Sequence, residues 1–221
     1  MTASESQRTG RVDFDLYLIT DRKQTNGRPL TEVVEEAVAA GVCCVQLREK
    51  DLSSRDLYEL ALELRKITAR HGARLIINDR IDIALAVEAD GVHLGGESIP
   101  TYRARRLLGS APLIGVSCHN LVSAITAQEK GADFITFGPI FHTPSKARYG
   151  EPLGLNRLTE VAQAVSLPIF ALGGVTMERI GEVMDHGATG VALISAVIAA
   201  PSPGDASRNL LCRIAQQKNG A

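Results

Sequence analysis

Short apolar runs alternate along the chain with longer amphipathic segments, and this alternation predicts the fold. The run Leu16-Tyr17-Leu18-Ile19-Thr20 is typical, because it is apolar on both faces and ends at Asp21-Arg22. Strands that are apolar on both faces belong to parallel sheets covered by helices. Eight such runs occur, and the predicted strands comprise residues 16–20, 42–47, 75–77, 91–94, 113–117, 134–137, 168–172 and 190–194.

The segments between these runs carry helix signals. The longest of the early ones has Ser53 or Ser54 as its N-cap, an apolar face with a helical period, and Gly72 at its end. Eight strand–helix units in succession predict an α/β protein with a single (β/α)8 TIM barrel, and the alternative is an open doubly wound sheet. We expect residues 1–13 to form a flexible N-terminal tail and residues 14–221 to form the one domain.

Composition narrows the classes of function. The chain has 221 residues, of which 45% are hydrophobic, so it can bury a sizeable core. Its formal net charge of −1 argues against nucleic acid and membranes as partners, and its longest apolar runs are too short to span a bilayer. Residues 1–10 lack an apolar signal core. The four cysteines form no CxxC pair and suit buried positions in a reducing compartment, so we expect a cytoplasmic protein.

Polar residues collect where the predicted strands end, which is where TIM barrels place their active sites. The densest cluster, Gln46-Leu47-Arg48-Glu49-Lys50, follows strand two directly. Gln46, Arg48 and Lys50 share one face of extended backbone, and their charges suit phosphate, although a solvated loop with an ion pair is the alternative. Candidates at the other strand ends are Asn78, Asp79, His93, Glu97, Ser98, Ser117, His119, Thr143, Ser145, Lys146, Arg148, Gly173, Gly174, Ile194 and Ser195.

One predicted phosphate site combines three cations, Arg48, Lys50 and Lys146, with Asp79. A carboxylate would repel an anion, so a carboxylate among these cations indicates a hard divalent metal. The alternative role for Asp79 is an N-cap of the helix that follows it. The loop 138–152 is long for a strand–helix connection and carries cations between glycines, which is typical of a lid that closes over an anion.

A second predicted phosphate site lies after strands seven and eight. It combines the backbone of Gly173-Gly174 with Ile194-Ser195, in the region where TIM barrels commonly bind phosphate. Glycine allows a ligand to approach the backbone closely, because it has no side chain beyond a hydrogen atom. The alternative for the two glycines is a plain tight turn.

Several motifs together resemble one enzyme family. They are QLREK at 46–50, NDR at 78–80, GVHLG at 91–95, IGVSCH at 114–119, FGPIFHTPSK at 137–146, LGG at 172–174 and ISA at 194–196. In this order they resemble thiamine phosphate synthase and its tautomerase cousins over roughly residues 16–199. The resemblance implies a transferase that joins a hydroxymethylpyrimidine diphosphate to a thiazole phosphate, giving thiamine phosphate and diphosphate.

The resemblance also implies residue roles. The catalytic residues would be Arg48, Lys50, Ser117 and Lys146. The pyrimidine diphosphate would be held by Gln46, Leu47, Arg48, Glu49, Lys50, Asn78, Ser117 and Lys146. The thiazole phosphate would be held by Thr143, Pro144, Ser145, Gly174, Ile194 and Ser195. Asp79 would bind Mg²⁺, the expected cofactor. The expected partners are these small-molecule substrates, and self-association into a homo-oligomer is left open.

One position departs from the family pattern. Ser98, preceded by Glu97, stands where the family usually carries a second magnesium carboxylate, and serine is a weak neutral ligand. The alternative function is therefore thiazole tautomerase, an isomerase of the same family in which His119 would act as acid or base. His93 lies inside an apolar strand and is expected to be a packed core histidine. A non-catalytic regulator that binds thiazole phosphate is the third interpretation. The retained phosphate-binding and metal-binding residues favour the synthase.

Overall fold

Eight parallel strands close into a barrel in the computed structural model of the chain, which describes residues 11–143 and 151–220. Each strand pairs with the next one in sequence, and β8 returns to pair with β1. The strands are β1 Leu16–Ile19, β2 Cys44–Leu47, β3 Arg74–Asn78, β4 Gly91–Leu94, β5 Leu113–Cys118, β6 Phe134–Phe137, β7 Ile169–Leu172 and β8 Gly190–Leu193. The predicted (β/α)8 barrel is confirmed, and closure excludes the open sheet.

Helices connect the strands and cover the outside of the barrel. They are α1 Leu30–Ala39, α2 Ser54–Arg70, α3 Ile81–Ala86, α4 Thr101–Leu108, α5 Leu121–Glu129, α6 Gly154–Ala164, α7 Ile180–Asp185, α8 Ser195–Ile198 and α9 Pro203–Asn219. Ser53 caps α2, as one of the two predicted options, by accepting a hydrogen bond from the Asp56 N–H. Within the described ranges, no helix is long and apolar enough to cross a membrane.

Alternate residues along each strand divide the apolar side chains between two layers. The larger layer lies between the strands and the helices and includes Val45, Leu47 and Leu75. The smaller layer fills the barrel interior and includes the rings of Tyr17 and Phe134, which meet edge to face at 5.3 Å between centroids. The barrel is therefore a packed core and not a pore.

Phe14 closes the amino-terminal end of the barrel. Its ring stacks on that of Phe170 at 5.0 Å between centroids and meets Phe134 edge-on at 5.6 Å. Residues 11–13, which the sequence assigned to the tail, also lie here, and Val12 packs against the interior layer. This end is a filled floor, so ligands have access to the opposite end, where the strands terminate.

A fully buried carboxylate strengthens the same floor. Asp133 directly precedes β6, and its Oδ2 accepts a hydrogen bond from the Ile114 N–H at 2.7 Å. Arg105 pairs with the same carboxylate, and Arg11 Nη1 lies 3.4 Å from Asp133 Oδ1. The charge of Asp133 is thus matched by partners on β5, on α4 and in the segment before β1.

Candidate active site

The QLREK segment leaves β2 at the mouth of the barrel, and its side chains alternate in direction. Gln46 is buried inside the barrel, whereas Leu47 packs in the outer apolar layer. Arg48 is partly exposed and Lys50 is exposed. Lys50 Nζ lies 3.8 Å from Asp79 Oδ2 at the neighbouring strand end. The segment therefore places two positive charges at the mouth, next to the carboxylate that the sequence singled out.

Glu49 points away from these cations. Its buried carboxylate accepts hydrogen bonds from the Arg22 N–H and from Arg22 Nη1, each at 3.0 Å, and Arg22 also pairs with Asp51 at 2.6 Å. These contacts fasten the end of β2 to the loop after β1. The side chains of Glu49 and Leu47 have other partners, and the predicted role of these residues in substrate binding stays a prediction.

A hydrogen-bonded carboxylate lies at the end of β3. Asp79 has a φ of 60°, which is uncommon for a residue other than glycine, and its N–H donates to the His93 carbonyl at 2.9 Å. Asn78 Nδ2 donates to Asp79 Oδ2 at 2.7 Å, and the Ser98 hydroxyl donates to Asp79 Oδ1. Ser98 Oγ accepts from the Gly95 N–H at 2.7 Å. The carboxylate is thus held among donors at the mouth.

Ser98 and Glu97 occupy different environments. Ser98 is partly buried against Asp79, while Glu97 is exposed. The position that the family pattern reserves for a second carboxylate therefore faces Asp79, and here it carries a hydroxyl. In the described part of the chain, no side chain caps α3, so the helix-capping alternative for Asp79 is not observed.

A chain of hydrogen bonds crosses the barrel interior below the mouth. Gln46 Nε2 donates to Tyr17 Oη at 2.8 Å, and Tyr17 Oη lies 3.3 Å from His93 Nδ1. On the far side of the ring, His93 Nε2 lies 3.0 Å from Ser117 Oγ and 3.4 Å from Thr136 Oγ1. The expectation that His93 is a packed core histidine is confirmed. Sequence reasoning missed its link to Tyr17, since the two residues lie on strands that are not adjacent.

Burial keeps the two ionisable side chains of this hydrogen-bond network, those of Tyr17 and His93, uncharged. It lowers the pKa of His93 to about 3, with the Asp79 charge opposing the shift and the Arg48 charge adding to it. Burial also raises the pKa of Tyr17 well above its usual range. Both side chains are therefore neutral near pH 7, and His93 is too weak a base to remove a proton from a substrate.

The glycine pair after β7 packs against the loop after β6. Gly173 and Gly174 have φ values of 92° and 66°, which favour glycine. A Cβ on Gly174 would lie 2.8 Å from the His142 carbonyl oxygen and 2.8 Å from Phe141 Cβ. The Phe141 N–H donates to the Gly173 carbonyl at 3.0 Å. The turn therefore joins two strand-end loops, and only glycine fits its second position without strain.

Of the remaining thiazole-phosphate candidates, the structure describes Ile194 and Ser195 after β8 and Thr143 after β6. Ile194 is the N-cap residue of α8, and Ser195 is its first, exposed residue. Thr143 is the last residue described before the gap. Three candidates, Pro144, Ser145 and Lys146, lie outside the described residues together with Arg148, so their roles stay predictions.

His119 holds the start of the loop after β6. Its Nδ1 lies 2.5 Å from the Gly138 carbonyl oxygen, and its backbone N–H donates to Ser123 Oγ at 3.2 Å. The carbonyl can only accept, so Nδ1 carries a proton in this contact. His119 therefore has a clear structural role in this arrangement.

A cavity with a volume of about 460 Å³ lies between the ends of β4 and β5, the start of α4 and the helix α5, and Ser117 is among its lining residues. Its lining includes Gly95, Thr101 and Asn120. Ser117 is itself partly exposed, and its hydroxyl contacts His93.

The closed barrel and the charges at its carboxyl-terminal mouth place this chain in the class of TIM-barrel enzymes that act on phosphorylated small molecules. The family model described as thiamine monophosphate synthase matches residues 16–197. The chain belongs to this family.

Individual relatives agree with the family. A thiamine-phosphate synthase from Chloroflexus aurantiacus is 46% identical over 209 residues, covering 94% of this chain and 96% of that one. A thiamine-phosphate synthase from Clostridium novyi is 44% identical over 187 residues, covering 85% and 92%. The solved structure of a thiamine phosphate pyrophosphorylase from Pyrococcus furiosus superposes with a TM-score of 0.85 at 34% identity, covering 96% of this chain and 98% of that chain. The predicted synthase function and transferase class are confirmed.

Proposed function

We propose that the carboxyl-terminal mouth of this barrel couples a pyrimidine-methyl diphosphate to a thiazole phosphate, with Arg48, Lys50 and Lys146 facing the diphosphate. The observation that carries this proposal is the position of Lys50 Nζ, 3.8 Å from Asp79 Oδ2, at a mouth that Arg48 also makes positive. Cations beside a single carboxylate suit a metal-bound diphosphate better than either a free anion or a free metal ion.

The reaction needs charge stabilisation more than acid–base chemistry. The C–O bond between the pyrimidine methylene and the diphosphate breaks, and its electron pair leaves with the diphosphate. The lone pair of the thiazole nitrogen then forms the new C–N bond. Arg48, Lys50 and Lys146 stabilise the charge that develops on the leaving group, and the barrel mouth holds the two substrates in line. No strong base is required, in agreement with the low pKa of His93.

The residues around Asp79 fit Mg²⁺ in a substrate-dependent way. Within residues 11–143 and 151–220, no group of three or more His, Cys, Asp and Glu side chains could hold a metal ion. The Asp79 carboxylate and the Ser98 hydroxyl nevertheless supply two adjacent oxygens, and Mg²⁺ usually completes its shell with water and substrate phosphates. When bound, Mg²⁺ would neutralise charge on the diphosphate. The proposed ligand from this chain is Asp79, with Ser98 beside it.

The thiazole phosphate is assigned to the mouth above β7 and β8. Gly174 brings its backbone close to the loop after β6, and Ile194 and Ser195 begin α8 at the next strand end. Backbone N–H groups at such a turn and at a helix start suit a phosphate. Thr143, Pro144 and Ser145 would complete the site from the loop.

The test is a two-substrate assay that measures thiamine phosphate with and without Mg²⁺. We expect the wild-type chain to form the product only with Mg²⁺, and Asp79→Ala to lose coupling. Asp82→Ala is the matched control, because Asp82 is an exposed carboxylate nearby that pairs with Arg80. A coupling rate that is unchanged by both a chelator and the Asp79→Ala substitution would contradict the metal assignment. Isomerisation of a thiazole phosphate without coupling would contradict the synthase assignment.

Two further expectations, the cytoplasmic location and the homo-oligomer, remain predictions. Four free cysteines, two of them buried, suit a reducing compartment and hence the cytoplasm. Self-association into a homo-oligomer is to be measured by light scattering or sedimentation.

A further inference from the structure

The hydrogen-bond chain inside the barrel has a direction that its donors and acceptors determine. Because Gln46 Nε2 donates to Tyr17 Oη at 2.8 Å, the one hydroxyl proton of Tyr17 is left for His93 Nδ1, 3.3 Å away. His93 Nδ1 is then an acceptor, so the neutral ring carries its proton on Nε2. That proton is donated to Ser117 Oγ at 3.0 Å, with Thr136 Oγ1 as a longer contact at 3.4 Å.

A doubly protonated His93 does not fit the same contacts. Its Nδ1–H would point at the Tyr17 oxygen, and the Tyr17 hydroxyl proton would lose its acceptor. Tyr17, Gln46 and His93 are all buried, so water does not readily replace that acceptor.

The last hydroxyl of the chain is the one that reaches the mouth. Ser117 Oγ accepts from His93, so its own proton is available to a partner on the other side. Ser117 is partly exposed at the end of β5, so a ligand at the mouth can reach that proton. Ser117 is thus presented to a ligand as a hydrogen-bond donor.

We infer that Tyr17 and His93 are positioning residues, which together hold the Ser117 hydroxyl as a donor to an oxygen of the departing diphosphate. The inference rests on the proposed function for the identity of that ligand. The direction of the hydrogen bonds from Tyr17 to Ser117 does not depend on the proposed function. Negative charge grows on the diphosphate as the C–O bond breaks. A donor that is oriented in advance stabilises this charge without the cost of reorganisation.

The first test is ¹⁵N NMR of the His93 ring in the protein without substrates. The two neutral tautomers and the imidazolium have different ¹⁵N shifts, and His93→Gln identifies the signals by removing them. We expect the Nε2–H tautomer at neutral pH, because Nδ1 faces the Tyr17 hydroxyl proton and Nε2 faces Ser117 Oγ. An Nδ1–H tautomer in the wild-type protein would overturn the inference, whether or not the protein has synthase activity.

The second test compares two conservative variants. Tyr17→Phe removes the donor to Nδ1, so we expect mixed tautomers and a kcat about three- to tenfold lower, with the KM for the thiazole phosphate nearly unchanged. Thr136→Val is the matched control, because it removes the longer contact of Nε2 and leaves the chain intact. We expect it to keep the Nε2–H tautomer and a kcat within about twofold of wild type.

Equal kcat values for Tyr17→Phe and Thr136→Val, with one tautomer in both, would overturn the positioning role. Different results would contradict the proposed function and the positioning inference. A wild-type protein that shows the Nε2–H tautomer but forms no thiamine phosphate would contradict the proposed function alone. A wild-type synthase with the Nδ1–H tautomer would contradict the inference alone.

Discussion

At the scale of single residues, we expect the Ser98 hydroxyl to limit how strongly the mouth binds magnesium. It donates to Asp79 Oδ1 at the place where a carboxylate would give the metal a second anionic ligand. We predict that Ser98→Asp lowers the Mg²⁺ concentration for half-maximal rate by about tenfold, which corresponds to about 1.4 kcal/mol of metal binding. Initial rates in a magnesium titration at saturating substrates measure the change.

Glu97→Gln is the control for that titration. Glu97 is the exposed neighbour of Ser98, so we expect its change to leave the magnesium requirement as it is in the wild-type protein. The same magnesium requirement in Ser98→Asp and wild type would show that this position does not contact the metal–diphosphate complex.

A second residue-scale prediction concerns His93 and the stability of the fold against acid. The pKa of histidine is about 6.5 in the unfolded chain, and burial lowers it to about 3 in the folded chain. Between these values the unfolded chain binds a proton that the folded chain does not. The contribution of His93 to stability is therefore complete above about pH 6.5 and falls toward pH 3, by about 1.4 kcal/mol per pH unit.

Urea unfolding at pH 7 and pH 5, in buffer with chelator, measures this contribution. We expect the free energy of unfolding to fall between these pH values by about 2 kcal/mol more in wild type than in His93→Gln. Asp79 and Arg48, the charged groups that act on the ring, and Tyr17 are present in both proteins, so their own pH dependence cancels in the comparison. Parallel pH profiles for the two proteins would contradict the low pKa of His93.

At the scale of elements, the turn after β7 is the point where two loops of the mouth meet. A Cβ at Gly174 would come within 2.8 Å of the His142 carbonyl oxygen, so Gly174→Ala must push the two loops apart. We predict a KM for the thiazole phosphate that rises by about tenfold or more, because phosphate contacts depend on backbone position. Steady-state kinetics with the thiazole phosphate as the varied substrate check this.

Gly72→Ala is a close control for Gly174→Ala. Both glycines have a φ of 66°, but a Cβ on Gly72, at the end of α2, would meet nothing within 4 Å. Both variants should lose stability on the order of 1 kcal/mol from the left-handed backbone, while only Gly174→Ala should change KM. Equal KM values in the two variants would contradict a phosphate site at this turn.

The strands were predictable because their periodicity is local. The predicted run 91–94 coincides with β4, and the predicted run 42–47 contains β2, Cys44–Leu47. The polar clusters were predictable as well, since they begin where those runs end. The partners of Asp79 were not, because its contact with Ser98 depends on a turn after Gly95 that brings two strand-end loops together.

At the scale of the whole molecule, barrel closure creates contacts that no local pattern contains. Tyr17, Gln46, His93 and Ser117 lie on four different strands, and their hydrogen bonds depend on which residues meet inside the closed barrel. The sequence predicted Gln46 and Ser117 as substrate contacts and His93 as a core residue. The contact of Tyr17 with Gln46 and His93 was not predicted, because a tyrosine in an apolar strand is expected simply to pack in the core.

Closure also separates a floor that stabilises the barrel from a mouth that carries the chemistry. Asp133 is fully buried in the floor, where Arg105 and the Ile114 N–H depend on its carboxylate. Asp133→Ala leaves the buried Ile114 N–H and the partly exposed Arg105 without this partner, so we predict that it lowers the free energy of unfolding by about 2–3 kcal/mol. The mouth lies beyond the far end of β6, so kcat and both KM values should stay near wild type.

Urea unfolding and two-substrate kinetics on the same samples test this separation. Asp205→Ala is the control, because Asp205 also pairs with an arginine, Arg208, but both side chains are exposed. An exposed pair contributes about 0–1 kcal/mol, so this variant should be nearly as stable as wild type and equally active. If Asp133→Ala were fully stable, the contacts of the buried Asp133 carboxylate would not support the floor. If it were stable but had an altered KM, the floor and the mouth would be coupled, and the residues assigned to substrate binding would have to include those that hold the barrel closed.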